Sequence, residues 1–149
     1  MKLTSFTDYS LRVLIYLAVE PGRRATIAQI SSDFDVSENH LTKVVHFLGK
    51  QGWISTVRGK GGGMMLARPA QDICVGQVLR DTEGKAMPAE CFGPEESQCA
   101  IVSCCQLKPV LAEAVNAFYA VLDRYTLADI TRNKRALTSI LHFYRREFA

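Results

Sequence analysis

The chain of 149 residues has no apolar run long enough to cross a membrane, since a spanning helix needs about 20 mainly apolar residues. Its most apolar stretch, residues 11–19, carries Arg12 and is followed by Glu20 and Pro21. The first ten residues lack the order of basic, apolar and small residues that marks a secretory signal. We therefore expect a cytoplasmic protein without a membrane partner, in which thiols stay reduced.

Residues suited to acid–base catalysis are also scarce. The three histidines, His40, His46 and His142, fall on predicted helices without an evident acid–base partner. The glycine run after Arg58 fits neither phosphate-loop pattern, G-x-G-x-x-G or G-x-x-x-x-G-K-[ST]. With 48% apolar and 22% charged residues, the composition is that of a globular protein. We therefore predict a globular protein that is not an enzyme.

The net charge is small, at +3, but it is unevenly distributed. Residues 1–70 carry nine basic and five acidic side chains, residues 71–106 carry two and six, and residues 107–149 carry seven and four. A basic first segment favours a polyanionic partner, and an acidic middle segment with all five cysteines favours a cation site. An excess of four charges is also common on an ordinary solvated surface.

Apolar periodicity predicts a mainly helical chain. Thr26 and Gln29 have the spacing of a capping box, and Ser37 is placed to begin the next helix. Two short β-type runs, 53–57 and 64–66, flank a glycine-rich turn and predict a hairpin. The predicted helices cover approximately 5–19, 26–34, 37–52, 75–81, 108–125 and 135–148.

Two helices joined by a tight turn and followed by a basic hairpin have the order of a winged helix-turn-helix. In that module the second helix enters the DNA major groove with its N-terminal residues at the base edges. The wing offers Arg58 and Lys60 to phosphates, and Gly61 and Gly62 allow close backbone approach. A flexible turn beside a bundle fragment is the alternative. The candidates on the second helix are Ser37, Glu38, Asn39, His40, Thr42 and Lys43.

Four of the five cysteines, Cys91, Cys99, Cys104 and Cys105, lie within fifteen residues. Their spacing lacks the paired C-x-x-C of a zinc ribbon, whereas soft thiolates on one loop suit an iron–sulfur cluster. Because adjacent side chains point in different directions, we expect one ligand from Cys104 and Cys105. Zinc with one non-cysteine ligand and a metal-free thiol switch remain alternatives. Cys74, in an apolar run, is interpreted as a small core residue.

Three stretches of the chain are similar to the bacterial winged-helix repressors that carry an iron–sulfur cluster: SFTDYSLRVLIYLA, SENHLTKVVHFLGKQGWISTVRGKGGG and AECFGPEESQCAIVSCCQLK. Within that family the chain resembles the nitric-oxide-sensing branch. The branch that regulates cluster assembly has a histidine three residues after the last cysteine, where this chain has Lys108. The resemblance implies a homodimer crossed by the long helix, and a double-stranded DNA operator that is released when nitric oxide destroys the cluster.

The resemblance also implies a ligand set. The ligands would be Cys91, Cys99 and Cys105, the last identified by the sequence Cys-Gln-Leu-Lys, together with Asp8 from the partner subunit. We expect a four-iron cluster, [4Fe-4S], rather than [2Fe-2S].

The predicted fold is mainly α with a small β-hairpin wing. It comprises a winged helix-turn-helix DNA-binding domain (1–70), a linker with the cysteine-rich cluster-binding loop (71–106), and a long dimerisation helix with further C-terminal helices (107–149). The predicted function is cluster-dependent repression of nitric-oxide detoxification genes. The alternative is a cluster-bearing or thiol-based redox regulator of cluster assembly or cysteine metabolism.

Overall fold

The computed structural model describes residues 2–84, 88–93 and 97–141, which form seven α-helices and one two-stranded antiparallel sheet. The mainly helical fold with a β-hairpin is as predicted. Two 3-10 turns cover Ala70–Asp72 and Glu90–Phe92. The helices are α1 (Ser5–Val19), α2 (Ile27–Phe34), α3 (Glu38–Lys50), α4 (Val75–Glu83), α5 (Leu107–Leu122), α6 (Leu127–Ile130) and α7 (Lys134–Ile140), and the strands are β1 (Ile54–Val57) and β2 (Gly63–Leu66).

Helix α1 lies at the centre of the core. It begins where the Thr4 hydroxyl accepts a hydrogen bond from the Thr7 backbone N–H at 3.2 Å. Apolar side chains on several sides of α1 let it pack against α3, α4, α6, α7 and β2. Val13 and Leu14 are fully buried there. The elements before and after the cysteines therefore share one core.

Helices α2 and α3 form the predicted pair. Thr26 and Gln29 make the capping box at the start of α2, and Asp35 ends that helix in the left-handed conformation. Ser37 occupies the N-cap position of α3, but its side chain makes no capping hydrogen bond. Four apolar side chains of α3 are buried in the core, namely Leu41, Val44, Val45 and Leu48.

The wing is fixed to the body of the protein at its base. β1 pairs with β2 from Ile54 opposite Leu66 to Val57 opposite Gly63. The backbone of Met64 also exchanges two hydrogen bonds with Ala25, just before α2. At the tip, a Cβ on Gly62 would overlap the Val57 carbonyl oxygen and lie 2.7 Å from that of Gly59. The tip therefore requires glycine at this position.

Helices α4 and α5 meet at an ion pair between Arg80 and Asp123. The guanidinium donates two hydrogen bonds to the carboxylate, at 2.6 and 2.7 Å, and lies 4.5 Å from the centre of the Tyr119 ring. Bidentate pairs of this kind hold two elements in one relative orientation. We call these three side chains the α4–α5 junction.

The interpretation of Cys74 as a core residue is wrong. Cys74 is half-buried at the N-cap position of α4, where its backbone bridges to Thr126. Its thiol lies 3.7 Å from the Asp123 carbonyl oxygen, so it faces the α4–α5 junction instead of the apolar interior. The neighbouring Ile73 is fully buried, and the apolar run in the sequence did not distinguish these two positions.

Helix α5 differs from its predicted bounds. It begins at Leu107 and ends at Leu122, so Pro109 takes the third helical position, where a missing N–H is still tolerated because the first four have no helical acceptor. Helix α7 covers Lys134–Ile140, whereas 142–148 of the predicted last helix and His142 lie outside the described residues. Among the described residues, no helix has the length and apolarity to cross a bilayer.

The junction should make stability sensitive to acid. The hydrogen bonds and charge of Arg80 hold the pKa of the Asp123 carboxyl below its ordinary value, 3.8. A carboxyl whose pKa is lowered by folding stabilises the folded state at any pH above its unfolded-state pKa. That contribution is lost as the pH falls through its folded-state pKa. We expect the urea midpoint to drop as pH falls below about 5, and to drop less in Asp123→Asn. Asp72→Asn, an exposed aspartate elsewhere, is the control; an equal effect of both variants would contradict the assignment.

Two glycine variants should have opposite effects on stability. A Cβ on buried Gly76 would overlap Asp123 Oδ1 and lie 3.0 Å from the Asp123 backbone nitrogen. Gly76→Ala should therefore destabilise the fold by about 1 to 3 kcal/mol, as overpacking does. Gly49, within α3, has nothing within 4 Å of its Cβ position, so Gly49→Ala should stabilise it by about 0.5 to 1 kcal/mol. Thermal unfolding of both variants tests the pair.

Candidate nucleic-acid interface and cysteine loop

The first half of α3 presents a row of polar side chains to solvent. The six DNA-contact candidates predicted for this helix and its N-cap are all exposed, whereas Leu41 between them is buried. The Thr42 hydroxyl donates to the Glu38 carbonyl oxygen at 2.8 Å, which fixes its rotamer. The exposed set is Ser37, Glu38, Asn39, His40, Thr42 and Lys43.

A contact that the sequence analysis missed holds His40 in place. The His40 ring stacks on Tyr9 of α1, with centroids 6.1 Å apart and an interplanar angle of 25°. The Arg12 guanidinium lies 5.8 Å from the centre of the same Tyr9 ring. Tyr9 and His40 lie on different predicted helices, and nothing in the sequence indicated that they would meet.

The wing tip carries the predicted cations. Arg58, Lys60 and Gly61 are exposed, and Gly62 is half-buried. Arg24 is a further cation at the tip that was not predicted, and its guanidinium donates to the Gly61 carbonyl oxygen at 3.1 Å. This bond links the tip to the segment before α2. Arg24 lies beside the wing because its neighbour Ala25 pairs with Met64 of β2. No pattern in the sequence predicted that pairing.

A hydrogen bond links the residue before Cys91 to the residue before Cys99. The Glu90 carboxylate accepts a hydrogen bond from the Gln98 backbone N–H at 2.7 Å, which links the residues just before the two cysteines. The Lys108 ammonium lies 5.8 Å from the centre of the Phe92 ring, so the segment after Cys91 contacts the first turn of α5. Cys91 is half-buried and Cys99 is exposed, and both are free thiols.

Cys104 and Cys105 differ in their surroundings. The exposed Cys104 thiol donates to the Ile101 carbonyl oxygen at 3.6 Å, within a turn that begins at Cys99. Cys105 is half-buried and lies two residues before α5. Cys105 therefore lies where the loop enters α5, whereas Cys104 lies within the preceding turn.

Asp8 lies in the first turn of α1, away from these bonds. Its Oδ2 is 2.8 Å from a guanidinium nitrogen of Arg12, and its side chain is 45% exposed. An exposed pair of this kind stabilises a protein by about 0 to 1 kcal/mol. Asp8 is therefore held only weakly where it is, and an external cation can compete for it.

The structure does not assemble these residues into one centre. Across residues 2–84, 88–93 and 97–141, no group of three or more His, Cys, Asp or Glu side chains is placed to hold a metal ion. The donor set itself fits an iron–sulfur cluster, because three free thiols on one loop are the soft ligands that such clusters take.

Helix α5 has an apolar stripe that no described residue covers. The half-buried residues of α5 lie on one face, and the stripe lies beside it, at spacings of three and four residues. Such spacing is typical of helices that pair along their length. Leu107 is 59% exposed, Val110 58% and Val121 46%. The α5 stripe consists of Leu107, Val110, Ala114, Ala117 and Val121.

Nearly the whole chain is similar to known transcriptional regulators. The model of the Rrf2 family, described as "Iron-dependent Transcriptional regulator", matches residues 3–133. The HTH-type transcriptional regulator NsrR of Bacillus subtilis (strain 168) is 48% identical over 142 residues, which cover 95% of this chain and 97% of that protein.

Two solved structures have the same fold. T. potens IscR superposes with a TM-score of 0.70 at 27% identity, over 89% of this chain and 88% of that one. CymR of B. subtilis, described as the global cysteine regulator of that organism, superposes with a TM-score of 0.68 at 26% identity, over 89% of this chain and 98% of that one.

Proposed function

The chain belongs to the Rrf2 family of iron-dependent transcriptional regulators, and from this we propose that it is a cytoplasmic, homodimeric repressor that senses nitric oxide. Its DNA-binding form carries an iron–sulfur cluster, with [4Fe-4S] the expected type. Loss of that cluster releases the operator of nitric-oxide detoxification genes. The observation that carries the proposal is the similarity of nearly the whole chain to a regulator named NsrR.

The exposed row on α3 supports the DNA-binding part of the proposal. Asn39 suits adenine, Glu38 suits cytosine, and Lys43 suits guanine or phosphate. Arg58 and Lys60 on the exposed wing suit phosphates. Residues 1–70 are then the DNA-binding domain, residues 71–106 the linker and cluster-binding loop, and residues 107–149 the dimerisation part.

The α5 stripe supports the homodimer. A second copy of α5 would cover these apolar side chains and place two α3 helices in one assembly. Two successive major grooves on one side of DNA lie about 34 to 36 Å apart. The dimer would then contact two half-sites of the operator at one fixed spacing.

Cys91, Cys99 and Cys105 are the proposed thiolate ligands, and Asp8 of the partner subunit is the proposed fourth. When bound, the cluster supplies iron that reacts with nitric oxide. Asp8 lies in the first turn of α1, which packs on α3, so ligation by Asp8 of a cluster held on the other subunit's loop would restrain the angle between the two DNA-binding domains. The Glu90–Gln98 hydrogen bond and the Lys108–Phe92 contact position the loop in front of α5.

Anaerobic purification tests the proposal. We expect a coloured protein that contains iron and sulfide and binds its operator, and we expect nitric oxide to abolish the visible absorbance and operator binding together. A colourless protein with stoichiometric zinc would contradict the cluster. A coloured protein whose operator binding is indifferent to nitric oxide would contradict the sensing role.

Operator affinity should depend steeply on salt. Losing one phosphate contact lowers the magnitude of the slope of log K against log salt by about 1. Because the proposed homodimer carries each contact twice, Lys43→Gln and Arg58→Gln should each reduce the slope by about 2. Arg124→Gln, an exposed cation after α5, is the control and should leave the slope unchanged. Gel-shift titrations from about 50 to 200 mM salt measure it. Equal slopes for all three variants would show that Lys43 and Arg58 do not contact phosphates.

A metal-free thiol regulator is the second candidate. The fold is also that of CymR, described as a cysteine regulator, and Cys99 and Cys104 are exposed thiols. This candidate predicts operator binding without iron and release by peroxide. Iron and sulfide content of the operator-binding species separates the two.

A further inference from the structure

A cavity of about 560 Å³ lies between the wing and the last helices of the described chain. Its walls come from the end of α1, from β2 and the residues that follow it, from α6 and from the start of α7. Cavities of about 300 to 1,000 Å³ are typical of small-molecule sites. None of the proposed DNA contacts or cluster ligands lines it.

The inner surface of this cavity is mainly apolar. Leu17 and Ala18 contribute from the buried side of α1, and half-buried Leu66, Ala70 and Ala128 contribute from β2, the 3-10 turn and α6. Such a surface favours the hydrocarbon or aromatic part of a ligand, because that part loses contact with water on binding.

The charged residues that line the cavity are all cations: Arg68, Arg132 and Lys134. Arg68 donates to the Gly52 carbonyl oxygen at 3.2 Å, and Arg132 pairs with Asp129. The Lys134 ammonium makes no ion pair within the part of the chain that the structure describes. An apolar cavity with a cationic lining is complementary to a molecule that combines an apolar body with a negative group.

A shallow open groove at α7 extends this cationic surface. It shares Arg132 and Lys134 with the cavity and adds Asn133 and Arg135. Guanidinium groups bind carboxylates and phosphates through paired hydrogen bonds. The anionic group of a ligand is therefore matched at the α7 side, with its apolar body towards α1 and β2.

We propose that this cavity binds a small amphipathic organic anion, a carboxylate or phosphate monoester with an apolar body. The site is independent of the cysteine loop and of the proposed cluster. Because β2 and α6 both line it, a bound molecule contacts the wing and the C-terminal helices at once.

Two fluorescent probes with the same body test the proposal. Anilinonaphthalene sulfonate carries a negative group, and N-phenyl-1-naphthylamine lacks it. We expect the full-length protein to bind the anionic probe at least about tenfold more tightly than the neutral one, a difference that a favourable ion pair supplies. Lys134→Gln should remove most of that preference, whereas Lys50→Gln, an exposed cation at the end of α3, should keep it.

Two variants that fill the cavity locate the bound probe. Ala128→Phe adds a ring from α6, and Gln71→Trp adds one from the 3-10 turn, at an exposed position. Each should weaken binding of both probes about tenfold or more. Gln71→Trp keeps the test decisive if Ala128→Phe fails to fold.

Three results would overturn the proposal. Unchanged probe binding in a folded filling variant would place the probe elsewhere, for example on the α5 stripe. Equal affinity for the two probes would show that the cationic residues of the cavity do not favour an anionic ligand. Failure of the full-length protein to bind the anionic probe would show that the cavity does not accept such a molecule.

Discussion

Cys105→Ser should abolish the visible absorbance of anaerobically purified protein and lower operator affinity by about 10³-fold, towards non-specific binding. A serine oxygen is a harder ligand than a thiolate and retains iron–sulfur clusters poorly. Cys105 precedes α5 by two residues and is half-buried, so serine fits its place without disturbing the core. Iron and sulfide analysis with gel-shift titration measures both effects.

Cys104→Ser is the matched control, because it makes the same chemical change one residue away. Its thiol already donates to the Ile101 carbonyl oxygen, and a serine hydroxyl makes the same bond. We expect iron content, absorbance and operator affinity close to those of the unmodified protein. A colourless Cys104→Ser beside a coloured Cys105→Ser would reverse the assignment of the third ligand.

Val110→Glu should convert the protein to a monomer and weaken operator binding at least about 100-fold, because two linked half-sites gain that much from one assembly. Val110 belongs to the α5 stripe and is 58% exposed, so a glutamate there is solvated in the single chain and is buried only between two copies. The monomer fold should therefore be retained. Sedimentation, circular dichroism and gel-shift titration together measure these effects.

Asn116→Glu introduces the same charge on the same helix. Asn116 is exposed on the face of α5 that also carries Glu113, about 120° around the helix from Val110. It should leave the dimer and operator affinity unchanged. If both variants dissociate the dimer, charge on α5 in general is responsible; if neither does, the α5 stripe is not the interface.

The parts of the fold that depend on local chemistry were predictable from the sequence. The capping box of Thr26 and Gln29 places α2 correctly, since both partners lie within four residues. The same holds for the wing, whose glycine run lies between two β-type stretches. The exposure of the α3 row followed from helical periodicity, with Leu41 marking the inner face.

Features that join distant segments were not predictable. The Arg80–Asp123 pair, the Arg24–Gly61 bond and the Tyr9–His40 stack each connect residues more than 30 positions apart. Composition and spacing carry no information about such partners. Cys74 was wrongly assigned to the core for the same reason. Its surroundings depend on Asp123, which lies 49 positions further along the chain.

The α5 stripe also makes operator binding depend on the expression level of the protein. Because we propose that a second chain covers the stripe, the fraction of chains that form the operator-binding dimer rises with chain concentration. While single chains outnumber dimers, dimer concentration rises with the square of chain concentration, so halving expression lowers it about fourfold. Target genes should then respond more steeply to changes in expression of this protein than they would to a regulator that binds DNA as a single chain.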